Sequence, residues 1–226
     1  MEGNATGAAA GPGARPVTLP REPFEEAVRL PLRPRRVVRH SLQQARKDPV
    51  ELRLRLLADN PRLSAVLQLC AEKAGWGKPL RAGHGRGVGL SNNIGSNTVQ
   101  IAEVSVAGGK VKVHRVVCAV DCGHVVNPSG VVQQIKSGIA FGLSAALKGG
   151  ITIDHGRVQQ QNFHQYDAVR IDEMPPVEVH IVSSQQAPGG IGEASTPSTA
   201  PAVCNAVFAA TGKRIRRLPI RAEDLA

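Results

Sequence analysis

Two runs of alternating character fix the first element of this chain. Val99, Ile101, Val104 and Val106 mark one run, Val111, Val113 and Val116-Val117 mark the next, and Ala107-Gly108-Gly109-Lys110 stands between them. Period two is the spacing of side chains on the faces of a β-strand, and a Gly-Gly pair supplies the backbone freedom that a tight turn needs. The segment predicts a hairpin. Helical spacing frames it. Asp48-Pro49 reads as an N-cap with proline at the first helical position, opening a helical segment over 50–59. Leu63, Val66, Leu67, Cys70, Ala71 and Ala74 recur at intervals of three and four, a second helix over 61–75 that Gly75 and Gly77 end. Asn127-Pro128 opens a third helix, which passes through Val131, Ile135, Ile139 and Leu143 to Leu147. Strand-like stretches at 151–153 and 177–182, a glycine-rich loop from Pro188 to Gly192 and a last helix over 199–212 complete the pattern. Strands and helices mix without regular βαβ alternation, so the fold class is α+β, a mixed sheet with flanking helices.

Composition narrows the class further. Apolar residues make up 42% of the 226 and charged residues 20%, which is ordinary for a globular chain. No apolar run reaches the roughly 18 residues of a membrane-spanning helix. A net charge of +10 suggests nucleic acid or an acidic partner. The excess is spread along the chain, however, with only residues 151–200 net acidic, and the few aromatics offer little stacking surface. Solvated basic surface is the expectation, and nucleic acid is disfavoured. The cysteines, Cys70, Cys118, Cys122 and Cys204, match no zinc ribbon or redox pair and read as free thiols. The histidines show no ligand pair at helical spacing, so no protein metal ligands are assigned. Gly85-Arg86-Gly87 reads as a tight turn or an anion contact, and Asp121 as a turn former. Residues 1–46, first Gly/Ala/Pro-rich and then basic with Pro31 and Pro34 breaking any helix, form a disordered or divergent N-terminal segment; 47–226 form the folded domain. No signal-peptide pattern is seen, which places the chain in the cytoplasm, with the periplasm as the alternative.

Three segments carry a specific likeness. The first is Val120-Asp121-Cys122-Gly123-His124-Val125-Val126-Asn127-Pro128, followed by Gln134-Ile135-Lys136-Ser137-Gly138 and Gly142-Leu143. The second is Gln161-Asn162-Phe163 with Tyr166. The third is Pro188-Gly189-Gly190-Ile191-Gly192-Glu193, followed by Pro201-Ala202 and Asn205-Ala206. In this order and spacing they resemble the molybdopterin-binding large subunit of the xanthine dehydrogenase and aldehyde oxidase family, in particular its isoquinoline-type branch and its second molybdenum-cofactor-binding domain.

The resemblance implies an oxidoreductase. In that family a molybdenum centre held by a pterin dithiolene hydroxylates an electron-poor carbon of an aldehyde or N-heteroaromatic, with oxygen from water. The glutamate of the third segment acts as general base, here Glu193. Gln134, Gly138, Gly189, Gly190, Ile191 and Gly192 are the implied cofactor contacts, and the cofactor is expected in its cytosine dinucleotide form. An amide such as Gln134 donates and accepts without adding charge, and glycines let backbone N–H groups approach an anion. An iron–sulfur small subunit is the implied electron acceptor. The family's large subunits also carry a first molybdopterin-binding half with a Gly-Phe-Gly loop, a motif this chain lacks. The resemblance therefore implies a partner chain or domain that supplies that half. A catalytically inactive remnant, or a basic module for an acidic partner, is the alternative.

Overall fold

The computed structural model describes residues 48–226. The reading of residues 1–46 lies outside them.

Two short helices open the described chain, α1 over Pro49–Leu56 and α2 over Pro61–Ala74. Each begins as its sequence dictates. The Asp48 carboxylate accepts from the N–H groups of Val50 and Glu51, the Asn60 side chain accepts from that of Leu63, and both helices have proline in the first turn. Gly75, at φ 65°, ends α2 in the left-handed conformation. Trp76 then turns back and donates its indole N–H to Asp48, tying the end of α2 to the start of α1.

The sheet follows: β1 (His84–Asn93), β2 (Ser96–Ala107), β3 (Lys110–Asp121) and, later, β6 (Val177–Ile181), in that spatial order. The first three are antiparallel neighbours, and β6 joins β3 in parallel. The expected hairpin is β2–β3, turning at Gly108 and Gly109, both at positive φ. Between β3 and β6 run α3 (Pro128–Leu147) and a small ribbon, β4 (Ile153–Asp154) with β5 (Arg157–Val158). The chain closes with α4 (Thr196–Thr211).

Both faces of the sheet are covered. On one, Leu63, Val66, Leu67 and Cys70 of α2 pack on Val99, Ile101, Val117 and Ala119. On the other, Ile135, Ile139 and Leu143 of α3 and Val203, Ala206 and Val207 of α4 pack on Val116, Cys118 and Val120. The four cysteines are free thiols, three of them buried. Among the described residues no helix is long and apolar enough to cross a membrane.

Strand β1 departs from the sequence reading. Gly85-Arg86-Gly87 is part of an extended strand, in which Gly85, Gly87 and Gly89 lie along one face. A Cβ built on them would stand 2.1–2.3 Å from backbone atoms of Ala206 and Ser198. The bare glycines let α4 lie directly on the sheet, where Asn205 donates to the Val88 carbonyl at 3.0 Å. Helix α4 also starts three residues earlier than its apolar pattern suggests, because Thr196-Pro197 opens its first turn.

At the far end of the hairpin, His84 and His114 stack with ring centroids 4.4 Å apart. Glu103 sits 3.1 Å from His84 Nδ1, and Ser105 Oγ lies 2.7 Å from His114 Nε2. Burial, and then the neighbouring His84 and Lys112, hold the His114 pKa below the ordinary 6.5. As pH falls, the unfolded chain therefore takes up this proton before the folded one. Native stability begins to drop as pH passes below 6.5, and the loss is complete below the depressed folded value. We expect the Tm to fall as pH drops below 6.5, and His114→Gln to flatten that dependence. A dependence unchanged in the variant would exclude His114 as its source.

Candidate functional site

The glycine-rich loop at 188–195 leads from β6 into α4 and is built onto three other segments. At its start, Gly189 N–H donates to the Cys122 carbonyl at 2.9 Å and Gly190 N–H to the Ile94 carbonyl at 2.7 Å. Gly189 lies so close to the β1–β2 turn that a Cβ would meet Ser96 Oγ at 2.6 Å, and one on Gly190 would meet the Ile94 side chain at the same distance. Ile94 itself stands at φ 47°, a costly conformation for a β-branched residue. It holds that conformation while its carbonyl and its side chain both meet Gly190.

The end of β3 braces the same place. Asp121 accepts from the Gly123 N–H at 3.0 Å, the turn role expected of it. It also takes a two-pronged ion pair from Arg62 of α2, at 2.5 Å and 2.8 Å. That guanidinium beside it, with the Gly123 N–H, holds the Asp121 carboxyl below the usual range. Gly123 is fixed in turn: a Cβ there would stand 2.2 Å from the Ala187 carbonyl. Arg62 lies 59 residues before Asp121, so no local sequence signal links them.

The sequence-derived candidates separate into two groups. Gly189, Gly190 and Gly138 are engaged with the protein itself. Gly138 is buried, and its missing side chain makes room for Ser195 Oγ, which a Cβ would meet at 2.2 Å. Ile191 is half-buried and packs against the core. Gly192, Glu193 and Gln134 face outward. A Cβ on Gly192 would meet nothing within 4 Å. The Glu193 carboxylate and the Gln134 amide have no hydrogen-bond partner among the described residues, nor do the N–H groups of Ile191, Gly192 and Glu193.

Ser195, which sequence reasoning missed, joins the two outward positions. Its hydroxyl donates to the Ile135 carbonyl at 3.0 Å, next to Gln134 in α3, while Glu193 lies two residues before it. The loop and the second turn of α3 therefore border one exposed surface. It presents a carboxylate, a side-chain amide and a short row of N–H donors, none of them satisfied by the described residues. Such a set fits a polar, anionic organic cofactor bound from outside, with a carboxylate beside it to move a proton. Among the described residues no group of three or more His, Cys, Asp or Glu is placed to hold a metal ion.

Comparison with known proteins identifies the family and the fold. The family model described as molybdopterin cofactor-binding domain matches residues 50–175, a span that includes Gln134 and Gly138 and ends before Glu193. The chain is 36% identical over 179 residues to the beta subunit of isoquinoline 1-oxidoreductase from Brevundimonas diminuta, covering 77% of this chain and 23% of that protein. It is 34% identical over 196 residues to a nicotinate dehydrogenase subunit of Pseudomonas putida, covering 78% of this chain and 16% of the relative. The chain thus spans less than a quarter of the length of these two relatives. Quinoline 2-oxidoreductase from Pseudomonas putida 86 shares the fold, with a TM-score of 0.54 at 24% identity over 57% of this chain and 18% of that one. With more than half of its residues matched by one family model, this chain belongs to the molybdopterin cofactor-binding domain family.

Proposed function

We propose that this chain supplies the base-carrying half of the cofactor site in a molybdenum hydroxylase acting on an aldehyde or N-heteroaromatic. The observation that carries the proposal is the outward-facing Glu193 beside the N–H groups of Ile191 and Gly192, all without a partner among the described residues. When bound, the molybdenum cofactor supplies the oxidation chemistry: it takes two electrons from the substrate carbon. The chain's own residues do the rest. The N–H groups of Ile191 and Gly192 bind the anionic portion of the cofactor, in its cytosine dinucleotide form. Gln134 orients the cofactor by donating and accepting at its amide. Glu193 takes a proton at its carboxylate from the water-derived nucleophile. An iron–sulfur subunit receives the electrons, and the assembly resides in the cytoplasm or the periplasm.

The reading requires a partner chain or domain that carries the first molybdopterin-binding half, since the relatives are more than four times longer than the span matched here. The arm at 151–171 supports such a contact. It is tied at its base, where Lys148 meets Glu173 at 2.6 Å and Ser144 Oγ accepts from the Val169 N–H. Within the arm Phe163 is 95% exposed, and Ile171, between the tied Val169 and Glu173, is 96% exposed. Exposed large apolar side chains grouped on one arm mark a contact surface. We expect Phe163→Ser with Ile171→Ser to weaken binding of the partner chain about tenfold or more, with the Tm of the isolated chain unchanged. Equal affinity, measured by titration calorimetry, would remove the arm from the interface.

Co-expression with that partner and an iron–sulfur subunit tests the whole reading. Molybdenum and pterin should co-purify with the assembly, and substrate-dependent dye reduction should need all components. Dye reduction by the purified chain alone would overturn the requirement for a second half.

A further inference from the structure

We propose that Ser96, Thr98 and Gln100, a row of buried polar side chains on β2, is the positioning device for Glu193. The inference rests on the reading of Glu193 as the base and adds the residues that set its place. The three occupy every second position of β2, so they share one face, and they are 1%, 0% and 0% exposed. Ser96 Oγ donates to the Gly190 carbonyl at 2.7 Å. Thr98 Oγ1 donates to the Ala194 carbonyl at 2.7 Å. Gln100 Nε2 donates to the Ser195 carbonyl at 2.6 Å. These three carbonyls bracket Glu193 on both sides.

A polar row in a buried sheet face calls for an explanation. Valine or leucine at these positions would cover the same area without any polar group to satisfy, and buried polar groups are costly unless every bond is made. Here the bonds are made with unusual completeness. Besides Ser195, the Gln100 amide donates to Ser198 Oγ at 2.8 Å, and its carbonyl oxygen accepts from Thr199 Oγ1 at 2.9 Å. The donors of the row therefore hold both the loop and the first turn of α4. An apolar contact permits a loop to slide; a hydrogen bond to a carbonyl fixes its distance and direction.

The fixing matters because of what Glu193 lacks. Its carboxylate has no partner among the described residues, so its position depends on its backbone neighbours. Ser195, held through its carbonyl by Gln100, passes the constraint to α3 through its own hydroxyl bond to Ile135. The row thereby also sets the spacing between Glu193 and Gln134. The three residues act through the loop backbone; they are positioning residues.

Amide hydrogen exchange on the full-length chain, resolved by NMR, tests this without cofactor or turnover. The reporters are Thr196 N–H, bonded to the Glu193 carbonyl, and Gly190 N–H, bonded to that of Ile94. Thr98→Val keeps the shape and removes the hydroxyl. It should speed exchange at Thr196 by about tenfold, while the amides of α2 and of residues 104–113 keep their rates. Thr98→Ser, which restores a hydroxyl, should return Thr196 to within about twofold of the parent. If Thr98→Val does not fold, Ser96→Ala reads the same effect at Gly190. An unchanged rate at the reporters, or a rise shared equally by α2 and the hairpin, would overturn the proposal, the second because it marks a role in the core alone. The base assignment is decided separately by Glu193→Gln, so the two can fail independently.

Discussion

Replacing Gly87 by alanine is expected to cost this fold at least about 3 kcal/mol, the upper range for overpacking a core. A Cβ at this position would lie 2.1 Å from the Ala206 nitrogen and 2.3 Å from the Ala202 carbonyl oxygen. Both are backbone atoms inside α4, so no side-chain rotation relieves the clash. The helix must lift from the sheet, and with it Ala202, Val203, Ala206 and Val207, all buried in the core. Lifting α4 also breaks the 3.0 Å bond from Asn205 to the Val88 carbonyl. For a domain of this size the loss corresponds to a Tm lower by roughly 6–12 °C. Gly77→Ala is the control. Gly77 stands at φ 86° with nothing within 4 Å of a built Cβ, so alanine there meets only the backbone penalty, about 1 kcal/mol. A Gly87→Ala protein that melts within a degree or two of the parent would show that α4 does not rest on β1.

The same glycines explain where the sequence misleads. Strand β1 reads HGRGVGLSNN, a composition poor in strand formers, and its intrinsic preference is overruled by packing that only the tertiary structure supplies. The β2–β3 hairpin and α1 to α3 are legible because their signals are local: alternation, a Gly-Gly turn, Asp, Asn and Pro at helix starts. The second face of β2 is not. Alternation such as Val99-Gln100-Ile101 ordinarily marks a strand with one solvated face, yet Gln100 is fully buried because α4 covers that face as well. The candidate site divides in the same way. Glu193, Gln134 and the glycines at 189–192 stand out through a specific family likeness. Arg62, Ser195, Thr98 and Gln100 do not, because each meets its partner across 59 to 99 residues of chain. Their residue types are common, and only the fold gives them a role.

Glu193→Gln is the decisive test of the proposed chemistry. In the assembled enzyme it should lower kcat by roughly 10²–10⁴, the range that a positioned general base contributes. The substitution keeps size and shape, and removes the charge and with it the capacity to accept a proton. Nothing in the fold depends on the charge, since the carboxylate is exposed and has no partner among the described residues. The Tm should therefore stay within about a degree, as for an exposed substitution away from any structural feature. The molybdenum and pterin content should match the parent, because the groups assigned to hold the cofactor are the N–H groups of Ile191 and Gly192 and the amide of Gln134. Gln134→Ala should show the opposite pattern: reduced pterin content, with the remaining loaded enzyme turning over at a rate near the parent's. If instead Glu193→Gln lowers cofactor content and activity together, Glu193 serves to bind and the base lies elsewhere. Activity within a few fold of the parent, at full cofactor content, would remove the base from this chain altogether.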